Sequence, residues 1–167
     1  MGNKQFMKMR LGARPAKTRG FTLVELIAVV AIISMIAVYI TIEINQSSDD
    51  AKVGIATAFL ASNVPAAISS YRARNRSSCR DLGSGTGVDI TSTLVSRGLA
   101  PNSPWDEPWS AVYNDSTREI SVTITTTGQQ ANDSASTIAT NLNDAEVPQV
   151  VRATASNNTA TVVYSCS

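Results

Sequence analysis

The sequence predicts an α+β chain, in which a long N-terminal α-helix with a hydrophobic first half packs on a C-terminal antiparallel β-sheet. Three observations predict it. From Phe21 to Ile42 the chain has no Lys, Arg, Asp, Gly or Pro, and Glu25 is the only charge. The stretch that follows keeps helical spacing on one face only, with Val53, Ala56, Leu60, Val64, Ala67 and Tyr71 three or four residues apart and Phe59 and Ile68 beside them. From Ser110 the pattern changes to period two, as in Ile120, Val122 and Ile124 against Ser121, Thr123 and Thr125.

Residues 1–20 carry Lys4, Lys8, Arg10, Arg14, Lys17 and Arg19 and no acid. Positive charge beside a spanning helix stays in the cytoplasm, so the long C-terminal part is expected on the far side. As a helix, the apolar run spans roughly 33 Å, enough to cross the hydrocarbon core of a bilayer. A lone carboxylate at such a depth costs about 2.5–3.5 kcal/mol on insertion scales, so Glu25 requires a reason to be there. A secretory signal peptide also begins basic, but its apolar region is shorter and a small-residue cleavage site follows it. Here nothing of that kind follows. If the chain is cut, the candidate is the Gly20–Phe21 junction ahead of the run.

The segment Gly20-Phe21-Thr22-Leu23-Val24-Glu25 closely resembles the class III signal of type IV pilins and their relatives. The resemblance implies cleavage after Gly20 by a membrane-embedded prepilin peptidase, N-methylation of the new first residue, Phe21, and a role for Glu25 in assembly. It also implies the pilin fold, a homo-oligomeric helical filament, and extraction from the inner membrane by an assembly platform and its ATPase. Glu25 has two compatible readings. In one, Thr22-x-x-Glu25 is a capping box at a helix start. In the other, Glu25 meets the cationic amine of Phe21 on a neighbouring subunit and fixes axial register, because an unpartnered acid in a low-dielectric bundle is strongly penalised.

These readings divide the chain into a cytoplasmic leader (1–20), a long helix (21–74, of which 21–42 is membrane or filament core) and a globular region with a connecting loop, sheet and disulfide (75–167). Six of the 14 basic residues lie in the leader, so residues 21–167 carry eight basic against 13 acidic residues, a net of −5. That balance does not suit a dedicated nucleic-acid binder, and no specific nucleic acid is expected as a partner. Cys79 and Cys166 both lie beyond the apolar run. On an oxidising side of the membrane they can pair, closing a loop whose chain-entropy value is about 4–5 kcal/mol; the alternative is two free buried thiols.

One helix is expected from about residue 22 to 74, with a bend near 61–65 where Pro65 removes a backbone donor. Ile42 stands where most short-leader type IV pilins have a proline. The Arg72-x-Arg74-x-Arg76 and Arg80 cluster reads as a solvated helix end or a contact between subunits. Gly83-Ser84-Gly85-Thr86-Gly87 lacks the ending of a phosphate loop and reads as a flexible loop. Asp89 suits the N-cap of a short helix through Arg97, with Gly98 as its stop. Pro101, Pro104 and Pro108 bracket Trp105 and Trp109 in an ordered loop anchored by its indoles. Ala111–Tyr113 and Glu119–Thr126 read as a hairpin. Residues 130–145 form a second short helix with Ile138, Leu142 and Ala145 inward, ended by Pro148. Gln149–Ala153 and Thr159–Tyr164 pair across Asn157-Asn158.

The sequence contains no histidine, which removes the commonest general base and most zinc sites. Asp49-Asp50 and Asp106-Glu107 are sequence neighbours and point different ways, so no catalytic dyad is expected. Neither an enzyme activity nor a cofactor nor a metal is expected. The expected function is a structural pilus subunit serving adhesion, aggregation, motility or mating contact. The alternatives are a type II secretion pseudopilin or minor pilin, and a single-pass anchored binding domain. The leader length, the helix between strand pairs and the near-terminal cysteine lean toward the type IVb branch, including conjugative thin pili. Phe21 and the Val29–Ile33 run resemble the type IVa branch.

Overall fold

The computed structural model describes residues 21–76 and 78–166, with backbone alone at 42–46. The chain divides into two compact units after Ile40. Helix α1 spans Leu23–Ala58. It has no internal breaker before Gly54, and its first turn holds the acid that favours a helix N-terminus. A π-helical turn follows at Phe59–Asn63, then helix α2 at Val64–Arg74.

The expected long helix thus runs from Leu23 to Arg74 without a break in the helical backbone, and its irregularity is a π turn at Phe59–Asn63, close to the bend expected at 61–65. The Val64 N–H skips one carbonyl and donates to Phe59 O. In this register the Leu60 carbonyl would accept from the N–H of residue 65, which Pro65 lacks. Leu60 is fully buried, where an unpaired carbonyl is costly. The Tyr164 hydroxyl donates to it at 2.8 Å, across 104 residues of chain. Burial pushes the Tyr164 pKa up, so its hydroxyl keeps the proton it donates.

The sheet has five antiparallel strands: β1 (Thr86–Asp89), β2 (Ser110–Asn114), β3 (Glu119–Thr125), β4 (Val150–Ser156) and β5 (Thr159–Ser165), in the order β1-β2-β3-β5-β4. The last strand lies centrally, between β3 and β4. Ile120, Val122, Ile124, Ala160, Val162 and Tyr164 are buried on one face, in one core with Val53, Ala56, Leu60, Val64 and Ile68 of the helix. The other face carries polar pairs such as Thr123 and Thr161, whose hydroxyls lie 3.1 Å apart. All eight residues of the expected helical face, Val53 through Tyr71 with Phe59 and Ile68 included, are buried.

Helix α3 is Thr91–Val95, shorter than expected, and Gly98 at φ 101° closes the turn after it. Asp89 Oδ1 accepts the Thr91 N–H at 2.9 Å. Helix α4 is Ala131–Asp144, with Ser134, Ala135, Ile138, Ala139 and Leu142 buried. Ala145 is exposed rather than inward, and the helix stops before Glu146, which adopts φ 45°, and not at Pro148. The glycine-rich stretch is also corrected. Strand β1 begins at Thr86 and pairs with β2, because the backbone groups of Ser110–Asn114 offer it a ladder.

Edge strand β4 is blocked by a side chain. The Asn143 amide donates to Ala153 O and accepts from Ala153 N–H, both at 2.9 Å, and so occupies the place of a sixth strand there. The tryptophan loop is anchored as its indoles predict. Trp105 and Trp109 are buried, Trp109 Nε1–H donates to Ala100 O at 2.7 Å, and its ring meets Phe59 edge-on at 5.6 Å. Cys79, just after α2, is bonded to Cys166, just after β5.

Candidate functional site

The candidate site is the start of α1 and the apolar run behind it. Gly20 and the basic leader lie outside the described residues. Phe21 is the first described residue and is 86% exposed. Thr22 and Glu25 form a reciprocal box. The Thr22 N–H donates to Glu25 Oε2 at 2.8 Å, the Thr22 hydroxyl donates to the same oxygen at 3.0 Å, and the Glu25 N–H donates to Thr22 Oγ1 at 3.3 Å. Two otherwise orphaned N–H groups are thereby paired, and the carboxylate sits at the positive end of the helix. This is the capping reading of Glu25 in geometrical form. It uses one carboxylate oxygen of an exposed side chain.

Behind the cap, Leu23–Thr41 is long and apolar enough to cross a membrane, and none of it is buried in the fold. Leu26, Ile27, Val30, Ile33 and Ile36 are all more than half exposed. A helix that is apolar on every side has no stable place in water and needs lipid or other helices around it. The Ser34 hydroxyl within the run donates to Val30 O at 2.7 Å, so its polar group is spent inside the helix.

Residues 15–41 match the prokaryotic N-terminal methylation motif. The motif is the signal shared by type IV pilins and pseudopilins, so the chain carries a type IV prepilin-like N-terminus. No curated protein and no solved structure matches the chain. The α+β architecture of a long N-terminal apolar helix with a five-stranded antiparallel sheet is pilin-like. The motif marks structural subunits rather than an enzyme family.

The remaining candidates are dispersed. Of the basic residues at and beyond the end of α2, Arg74, Arg76 and Arg80 are exposed, and Arg97 lies over the Tyr71 ring at 5.7 Å. Among the described residues the two ion pairs, Lys52–Asp49 at 3.9 Å and Arg152–Glu119 at 3.6 Å, lie elsewhere. Sequence reasoning missed Tyr164 and Asn143. A tyrosine in a strand and an asparagine near a helix end are unremarkable until the partner carbonyls are known. Only the proline in a buried helical face signalled that some group must replace a missing donor.

Proposed function

We propose that this chain is the precursor of a filament subunit of the type IV pilus kind. The basic leader holds it in the inner membrane with its N-terminus in the cytoplasm. Prepilin peptidase cuts between Gly20 and Phe21 and methylates the Phe21 amine. An assembly platform and ATPase then extract the subunit, and apolar helices exchange lipid for one another as the fibre grows to the cell surface. Glu25 of one subunit pairs with the Phe21 amine of another and sets axial register; in the lone subunit its box with Thr22 keeps the carboxylate at the helix start. The observation that carries this reading is the helix Leu23–Thr41, apolar on all sides, unburied and headed by the methylation motif.

A pilin is favoured over a pseudopilin by the Cys79–Cys166 bond and the indole-anchored proline loop, which suit a surface exposed outside the cell. The near-terminal cysteine and the helix α4 between the two strand pairs lean toward the type IVb branch. Intact-mass measurement of the purified protein tests the reading. The expected mass lacks residues 1–20 and gains one methyl group; a full-length chain in cells with an active peptidase would overturn it. Replacing the carboxylate (Glu25→Ala) is expected to leave processing intact and lower fibre yield, and normal yield would reduce Glu25 to a cap.

A further inference from the structure

The reciprocal box at the start of α1 also fixes where the helical ladder begins. The first backbone bond of α1 is Leu26 N–H to Thr22 O, at 3.2 Å, and Phe21 and Thr22 lie outside the helix. One residue nearer the leader, the next bond of the ladder would run from the Glu25 N–H to the Phe21 carbonyl. Thr22 Oγ1 takes that N–H instead, at 3.3 Å. The hydroxyl is held in place for this, because it donates its own proton to Glu25 Oε2 at 3.0 Å, and the Thr22 N–H donates to the same oxygen at 2.8 Å. A side-chain oxygen therefore displaces a backbone carbonyl from one donor, as an N-cap does. A helix lengthens one bond at a time, so the bond after that, from the Val24 N–H to the Gly20 carbonyl, has no turn to grow from. The leader adds to the stop. Gly20 is a poor helix former, and the cations Arg19 and Lys17 are disfavoured at the positive end of a helix.

The Gly20 carbonyl is the group that hydrolysis at Gly20–Phe21 attacks. The oxygen of water bonds to its carbon, the C–N bond to Phe21 breaks, and a proton of the water passes to the nitrogen, which becomes the Phe21 amine. On the way the carbonyl oxygen gains negative charge and needs hydrogen-bond donors from the peptidase. Inside a helix that oxygen is already bonded to an N–H four residues on, and the side chains of the next turn crowd its carbon. Cleavage goes fastest where the backbone is exposed and free of such bonds.

We propose that Thr22 is the positioning residue for this cleavage: its hydroxyl ends the apolar helix so that Phe21 and Thr22 separate the first helical turn from the scissile bond. The proposal rests on the processing reading above and gives Thr22 a task distinct from the assembly role of Glu25. It agrees with intact processing of Glu25→Ala, since residue 25 keeps the N–H that Thr22 Oγ1 accepts.

Cleavage of the full-length precursor by prepilin peptidase in detergent micelles tests it. Thr22 and Leu23 are exposed, so substitutions there leave the buried core untouched. Thr22→Val keeps the shape and helix propensity of threonine and removes the cap. It is expected to raise KM by up to about fivefold, the effect of one lost N-cap, with kcat unchanged, because the helix-extended form is withdrawn from binding. Thr22→Ser and Thr22→Asn keep a capping oxygen and are expected to keep the original KM. The double variant Thr22→Val with Leu23→Pro stops the helix by another route. Proline suits the first helical position and turns the residue before it away from helical backbone. That variant is expected to be cut like the unsubstituted chain, although no hydroxyl stands at position 22. If the proline fails to rescue, the peptidase reads the hydroxyl itself; if Thr22→Val leaves KM unchanged or lower, the helix end does not limit access. Either result overturns the proposal and leaves the cleavage standing. An unsubstituted chain that stays whole overturns both.

Discussion

The two halves of the N-terminal helix are built from similar residues and face opposite problems. Leu23–Thr41 is apolar all round and buries nothing within the fold, whereas Val53–Tyr71 buries one face and leaves the other to solvent. The first keeps its backbone ladder intact and turns its serine inward, as a segment without water must. The second tolerates a proline and a π turn, because a tyrosine from β5 supplies the missing donor. Hydrophobicity alone does not separate them, since Ser47–Arg74 also passes a length-and-composition test for a membrane span. Periodicity does: a stripe finds its partner in its own chain, and a full circle has to find one elsewhere.

The sharpest test of that contrast is a matched pair of truncations. Leu60→Ala, at a fully buried position, is expected to cost about 2–5 kcal/mol in the melting of the globular region. Leu26→Ala, 61% exposed, is expected to leave that melting unchanged. Equal losses would mean that the first half packs on its own domain. Breaking the covalent tie with Cys79→Ser is expected to remove about 2–5 kcal/mol from the globular region, matched by melting the unsubstituted protein in reductant. If reductant makes no difference, the bond contributes nothing there. Tyr164→Phe deletes one hydroxyl and orphans the Leu60 carbonyl, an expected loss of about 1–3 kcal/mol by thermal melting. A neutral result would show that the π turn relaxes and satisfies itself. The smallest effect is a gain. A Cβ at Gly54 would meet nothing within 4 Å, so Gly54→Ala is expected to add about 0.5–1 kcal/mol.

The parts legible in the sequence are those set by short-range pattern. The alternation of Ile120, Val122 and Ile124 placed one strand with its buried face, and the Asn157-Asn158 pair marked the hairpin at which Asn157 takes φ 50°. The three-four spacing found every buried position on the second half of the helix. The methylation signal was legible because it is contiguous and depends on residue order. What escaped depends on distant partners. The glycines at 83, 85 and 87 spoke for a loop, yet a neighbouring strand recruits Thr86–Asp89. Ala145 continued the apolar spacing of α4, but the chain turns out of the helix at Glu146 and leaves it in solvent. The irregularity in β4, where Val150 faces Tyr164 and Arg152 faces Val163, is a matter of register between strands, which no run of residues in β4 announces.

The bond between Cys79 and Cys166 has a consequence for wear. It joins the residue just past the helices to the last described residue of the chain, so all that lies between is a covalent ring. A protease that nicks any exposed turn of this ring, at Gly85, Ser116 or Asn157, frees no fragment. Both new ends remain tethered to the same rod, and the severed strands stay at hand to re-pair. Damage from outside is thereby turned into a scar rather than a shedding event.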